Sequence, residues 1–199
     1  MTPSSTLRDR RRMQTEREIQ VAALRIALRD GYEAVTTEMI AAEAGISLRT
    51  FFNYYPNKEA AIVGRRPQFG DRTLAWFHSA SGPLVDDLFE ALRQILEDKQ
   101  PNRDTTKMVD ALLSQMPELV PAFHASLQIL KDQMADLAVS RLGEQARPDA
   151  EMIAEIVAHA TANAFRRWAH DETMGVDDLV RVARQQIVRV GEMISDRSS

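Results

Sequence analysis

Apolar residues recur at three- to four-residue steps along most of the chain, the spacing that places side chains on one side of an α-helix. No segment shows the sustained alternation between turn signals that a half-buried strand requires. Glycine, proline and asparagine separate the periodic segments. The pattern therefore predicts an all-α chain. Its long helices are expected at residues 9–30, 72–79, 83–98, 105–115, 118–142, 149–171 and 176–195.

The segment 37–54, TEMIAAEAGISLRTFFNY, predicts two short helices joined by a tight turn. Ile40, Ala41 and Ala44 fall three to four residues apart, so they share one helix face. Gly45 then supplies the left-handed backbone conformation that a sharp turn needs, without a Cβ penalty. Ser47 can cap the second helix, because its hydroxyl oxygen can accept from a free amide of the first turn.

The second short helix has an apolar side and a side that faces outward. Phe51 and Tyr54 return to the same core as Ile46. The small Ala41 lets the two helices approach closely. This is the helix-turn-helix arrangement, in which the second helix enters a DNA major groove. Its outward residues, which we expect to contact bases and phosphates, are Leu48, Arg49, Thr50 and Asn53.

Two further signals set the limits of this N-terminal module. Thr36 is a candidate N-cap for the helix before the turn, and Asn57 for a fourth helix that begins near Lys58. The segment 64–70 contains two glycines, two arginines and a proline, and it marks a junction. We therefore expect a three-helix DNA-binding domain at 1–66 and a larger helical domain at 67–199.

Composition bounds the class of protein. Of the 199 residues, 44% are hydrophobic and 27% are charged, values ordinary for a globular protein. The absence of cysteine excludes disulfides and thiolate metal sites, and it permits the cytosol. No run approaches the roughly 18 apolar residues of a membrane helix, and no apolar signal segment follows the N-terminal charges. We expect a cytoplasmic protein without a membrane partner.

The net charge of −4 is unevenly distributed along the chain. Residues 1–66 hold 11 Lys and Arg against 8 Asp and Glu, whereas residues 67–199 hold 14 against 21. A basic end on an acidic body concentrates the attraction for phosphate at one place. A solvated basic arm is the alternative explanation. The most basic segment is the tip that contains Arg8, Arg10, Arg11 and Arg12.

No constellation of catalytic residues can be recognised. The four histidines, at positions 78, 124, 159 and 170, lack a metal-binding spacing such as HExxH. The chain has no glycine-rich phosphate loop and no GxSxG nucleophile elbow. We therefore expect neither an enzyme nor a bound cofactor or metal.

A family resemblance rests on residues that lie in order across the first third of the chain. They are Ile19, Ala22-Ala23, Gly31-Tyr32, Thr36-Thr37, Ile40-Ala41, Ala44-Gly45-Ile46-Ser47, Thr50-Phe51-Phe52-Asn53-Tyr54-Tyr55 and Asn57-Lys58-Glu59. With these residues the chain resembles the TetR family of bacterial transcriptional regulators. Two positions depart from the family pattern. Phe52 stands where many members have a tyrosine that can bond a phosphate, and Ala27 replaces a common aromatic residue.

The resemblance implies roles for individual residues. Thr36 looks like the threonine that caps the second helix where that helix meets a phosphate. Lys58 looks like the lysine that contacts the DNA backbone. A phosphate beside Lys58 would also remove its conflict with the helix dipole. The guanidinium of Arg49 suits guanine O6 and N7, with a phosphate contact as the alternative. Tyr54 often contacts phosphate in the family, although core packing is the more common role of such an aromatic residue. The full set of candidate DNA-contacting residues is Arg11, Arg12, Thr36, Thr37, Ser47, Leu48, Arg49, Thr50, Asn53, Tyr54 and Lys58.

The resemblance also implies a mechanism, in which a homodimeric repressor binds a pseudo-palindromic operator and a small apolar or amphipathic ligand releases it. The C-terminal domain would bind the ligand and form the dimer. Candidate ligand residues are Trp76, Phe89, Met108, Phe123, His124, Phe165 and Trp168. Candidate dimer residues are Ala154, Ala158, Thr161, Phe165, Leu179, Ala183, Ile187 and Val190. Ordinary core packing is the alternative for most of them. A second hypothesis is a protein-interaction module whose helix-turn-helix does not bind DNA.

Overall fold

A computed structural model describes residues 7–64 and 67–195, apart from the side chains at positions 8–10, 98 and 99. Ten α-helices and three single-turn 3-10 segments account for the regular structure of these residues, and no strand occurs among them. The prediction of an all-α chain is confirmed. The helices are α1 Leu7–Asp30, α2 Thr37–Glu43, α3 Leu48–Phe52, α4 Lys58–Val63, α5 Asp71–Ser79, α6 Leu84–Lys99, α7 Arg103–Gln115, α8 Val120–Leu142, α9 Arg147–His170 and α10 Asp177–Ser195.

Local signals place most of the helix ends where the sequence predicts them. Gly31 follows the last residue of α1 with φ 84°, and Gly45 lies between α2 and α3 with φ 67°. Both values fall in the region that favours glycine. α8 begins at Val120, two residues after the expected start at 118 and directly before Pro121, because proline is tolerated in a first helical turn but not further in.

The chain divides into two compact units. The first contains the described residues up to 64 together with Met108–Ser126, a segment predicted from the sequence to belong to the C-terminal domain. The second contains residues 67–107 and the described residues from Leu127 onward. Leu112 and Leu119 belong to the same apolar core as the N-terminal helices. The largest fully buried side chains of that core are Ile19, Leu24, Ile26, Ile40, Phe51, Leu112 and Leu119.

The second unit is built around α6, α8, α9 and α10. Phe77, Phe89, Met134 and Leu179 are almost completely buried in its core. α9 and α10 pack against each other, and the small Ala164 of α9 is fully buried in the core. None of the helices in the described part of the chain is long and apolar enough to span a membrane.

Candidate nucleic-acid interface

The turn between α2 and α3 is held by side-chain caps and backbone bonds. The Thr36 Oγ1 atom accepts from the amide of Met39 at 3.2 Å, and the Ser47 Oγ atom accepts from the amide of Thr50 at 3.1 Å. The amide of Ile46 donates to the carbonyl of Ala41 at 2.9 Å. Both predicted N-caps are therefore confirmed. They satisfy amides that have no acceptor within so short a helix.

The inner side of α3 packs into the core of the first unit. Phe51 and Ile40 are fully buried, and Ala41 is 4% exposed. Tyr55 is buried as well, and its hydroxyl donates to the carbonyl of Glu16 at 3.3 Å. Tyr54 is only partly buried against this core. No role is predicted for Tyr55 from the sequence, although its four-residue distance from Phe51 is a signal that could have revealed one.

The outer side of α3 presents Arg49, Phe52 and Asn53, all three exposed. Leu48 and Thr50 are partly exposed beside them. Arg49 makes no hydrogen bond or ion pair with any residue that the structure describes. Its five N–H donors are therefore available for an acceptor outside the protein.

Lys58, at the start of α4, is half-buried and bound within the protein. Its Nζ atom donates to the carbonyl of Tyr32 at 3.1 Å and lies 4.4 Å from the centre of the Tyr32 ring. The Tyr32 hydroxyl donates in turn to Glu59 Oε1 at 2.5 Å. Burial, and then this bond to Glu59, raise the pKa of Tyr32, so the hydroxyl stays protonated. The positive charge of Lys58 is unfavourable at the N-terminal end of the α4 dipole, and the sequence predicts that a phosphate offsets this. In the structure the carbonyl of Tyr32 already does so.

The predicted arginines of the N-terminal tip lie on α1. Arg11 and Arg12 are exposed, whereas the side chains of Arg8 and Arg10 lie outside the described residues. Arg12 donates to Glu16 at 3.4 Å, and its Cζ atom lies 5.9 Å from the centre of the Tyr54 ring. These contacts bring the basic tip next to the end of α3.

Comparison with known proteins identifies this module. Residues 19–61 match the family model described as "Bacterial regulatory proteins, tetR family". These residues of the chain match the TetR family. It is 28% identical over 94 residues to YvkB, an uncharacterised HTH-type transcriptional regulator of Bacillus subtilis, and this match covers 47% of the chain and 50% of YvkB. The chain thus spans about half the length of this curated relative.

Solved structures match this chain over most of its length. The fatty acid degradation regulator FadR from Bacillus halodurans matches with a TM-score of 0.56 and 16% identity, over 86% of this chain and 93% of that one. A TetR-family regulator from Syntrophomonas wolfei matches with a TM-score of 0.53 and 13% identity, over 86% and 92%. At such identities the likeness concerns the fold alone. The fold agrees with the all-α fold predicted from the sequence, and the family match of residues 19–61 agrees with the predicted resemblance.

The candidate ligand residues fall in both units. Phe89 and Trp168 are buried in the core of the second unit, and Trp76 and Phe165 are partly buried against it. Met108, Phe123 and His124 belong to the first unit. The indole N–H of Trp168 is buried and has no hydrogen-bond partner among the described residues.

Arg103, for which the sequence predicts no role, binds the end of α9. Its guanidinium carbon lies 4.6 Å from the centre of the Trp168 ring. The same group donates to the carbonyls of Trp168, Asp171 and Met174. Arg103 thus supplies donors to carbonyls at and beyond the C-terminal end of the helix, where the helix itself provides none.

The candidate dimer residues differ widely in exposure. Ala154, Leu179 and Ala183 are completely buried within the second unit, so their side chains cannot contact a second copy. Their regular spacing reflects packing inside the core of this unit. Ala158, Thr161, Phe165 and Ile187 are partly buried, and Val190 is exposed.

A different line of α9 is mostly open to solvent. Its members follow one another at four-, three- and four-residue steps; Met152, Ile156 and His159 are exposed, and Asn163 is partly buried. Ile156 and Val190 line a shallow groove of about 240 Å³ between α9 and α10. The sequence does not predict this line, because the regular spacing of small residues on α9 favours the neighbouring face of the helix.

Proposed function

We propose that this TetR-family regulator is a repressor that binds a pseudo-palindromic operator as a homodimer and is released by a small molecule. The observation that carries the proposal is the outer side of α3, where Arg49 is exposed and unbonded among the described residues. Arg49 can contact guanine O6 and N7 with two parallel bonds. The excess of basic residues in 1–66 attracts the phosphates that position such a contact.

A dimer is supported by the apolar side of α10. Leu179 and Ala183 lie on this side and are buried in the core of the second unit, while Val190 and Ile194 continue it and are 46% and 71% exposed. Exposed apolar side chains in a row indicate a surface that another protein covers. A second copy would bring a second α3 to the DNA. The two α3 helices would then be separated along the duplex by one helical turn, about 34–36 Å, or by a multiple of it.

Release requires a ligand that binds one arrangement of the two α3 helices better than the other. The proposed site lies among the aromatic residues of the second unit, Trp76, Phe89, Phe165 and Trp168. A mostly apolar site with few polar groups suits a small apolar or amphipathic ligand. The unpartnered indole N–H of Trp168 could donate to one acceptor on it. A ligand screen that never alters operator affinity would remove the support for release.

Selection of bound fragments from a random duplex pool tests the DNA-binding part of the proposal. We expect enrichment of an inverted repeat whose half-sites are about one helical turn apart. Enrichment of a single unrepeated site would contradict the dimer. If no sequence is enriched, operator binding itself is contradicted.

A further inference from the structure

Phe52 is half exposed, at 51%, on the outer side of α3. Positions 49, 52 and 53 are three and four residues apart, so Phe52 shares its helix face with Arg49 and Asn53. It therefore lies on the surface that the proposed function presents to DNA.

The core of the first unit does not account for this exposure. Phe51 fills the core and is fully buried, whereas the ring of Phe52 packs against that of Phe51 in a T-shaped arrangement, with ring centres 5.3 Å apart and planes at 85°. This contact places the Phe52 ring against the protein, while about half of the residue stays exposed to solvent. Phe52 thus presents an apolar surface between the polar side chains of Arg49 and Asn53. Such a surface indicates that the group it contacts on a binding partner is apolar too.

Duplex DNA has one apolar group on the base edges of the major groove, the C5-methyl of thymine. A phenyl ring cannot donate a hydrogen bond to a phosphate, so Phe52 cannot make the backbone contact that a tyrosine could make there. We propose that Phe52 is a specificity-determining residue that packs against a thymine methyl in each half-site. This inference rests on the proposed function. Since Phe52 lies one turn beyond Arg49, the thymine is expected close to the base that Arg49 contacts.

Removing individual thymine methyl groups from the DNA tests the inference. In the operator obtained by selection, each thymine is replaced in turn by deoxyuridine, which removes only the methyl group, at both symmetry-related positions together. We expect one such pair of positions at which the affinity of the unaltered protein falls by about tenfold, the effect of removing two buried methyl groups. The affinity is measured by fluorescence anisotropy with labelled duplexes.

Protein variants connect that loss to the ring. Phe52→Ala should bind the operator more weakly than the unaltered protein and lose sensitivity to deoxyuridine at that pair of positions. Phe52→Tyr keeps the ring and should keep the sensitivity, and so should Arg49→Ala, which changes the same face elsewhere. Thermal unfolding and light scattering of Phe52→Ala show whether the fold and the oligomeric state are unchanged.

The outcomes separate the inference from the proposed function. If an operator is bound but no thymine methyl matters, or if its effect persists in Phe52→Ala, the inference is overturned and operator binding stands. The inference is also overturned if Phe52→Ala changes the oligomeric state, because the ring would then contact a second copy. Failure to select any operator overturns the proposed function.

Discussion

At the scale of single residues, the ammonium group of Lys58 joins the start of α4 to the loop before α2. It donates to the carbonyl of Tyr32 and lies over the Tyr32 ring, while the hydroxyl of that ring donates to Glu59. An ammonium group has three donors, so a phosphate contact remains open to it. Because Tyr32 holds the charge of Lys58 in place, the proposed phosphate contact would cost less side-chain entropy than one made by a free lysine.

Lys58→Ala should weaken the binding of all duplexes similarly, because a phosphate contact carries no base information. The slope of log affinity against log salt should fall in magnitude by about 0.9 for each phosphate that the variant no longer neutralises. The measurement is a salt titration on the operator and on a scrambled duplex.

Tyr32→Phe is the matched control for Lys58→Ala. It removes the hydroxyl bond to Glu59 but keeps the ring and the carbonyl that hold Lys58. We expect a loss of about 1 kcal/mol in the free energy of unfolding, typical of one hydrogen bond, with an unchanged salt slope. A salt slope that Lys58→Ala leaves unaltered would show that Lys58 serves only the fold.

At the scale of elements, α2, α3 and α4 are too short to be stable by themselves. They hold seven, five and six residues, whereas isolated helices shorter than about 12 residues are marginal in water. Each begins with a side-chain cap, from Thr36, Ser47 and Asn57 respectively. The caps and the buried Phe51 are therefore what order the face that carries Arg49.

Ser47→Ala should lower the free energy of unfolding by about 1 kcal/mol, the usual value of an N-cap. Denaturant unfolding measures this loss. Ser47→Asn is the control, because asparagine supplies an acceptor at the same position and should restore most of the stability. Equal losses in the two variants would mean that the Ser47 cap contributes little.

The helix limits and caps could be predicted because their signals are local. A cap such as Asn57 bonds an amide three residues on, and both groups appear within one short stretch of sequence. Contacts between distant segments have no such signal. Two examples are the place of Leu112 in the core of the first unit and the bond from Lys58 to the carbonyl of Tyr32. Both depend on how the chain folds back on itself.

The candidate dimer face shows a second limit of the sequence. Alanines at regular steps on α9 indicate close packing but do not say against which helix. Ala154 packs within its own unit, while Ile156, two residues further, is 43% exposed. Residues two apart on a helix point about 200° apart, so this distinction needs the three-dimensional position of α10.

At the scale of the whole molecule, the proposed dimer can be tested with two valines of α10. Val190 and Val188 are 46% and 47% exposed, but they point to nearly opposite sides of the helix. Val190 lines the groove between α9 and α10, together with Ile156.

Val190→Asp should therefore shift the protein from dimer to monomer in light scattering at micromolar concentration and weaken operator binding. Val188→Asp introduces the same charge at an equally exposed position and should leave both unchanged. If the two variants behave alike, the groove is not the dimer interface.

The central claim is that α3 contacts the bases of duplex DNA through its outer side. Its most direct test is the affinity of the unaltered protein and of Arg49→Ala for the selected operator and for a scrambled duplex of the same length. The account predicts that Arg49→Ala loses about 1–3 kcal/mol on the operator and little on the scrambled duplex, so that the preference between them shrinks. Equal losses on both duplexes, or no binding to any duplex even at low salt, would contradict it.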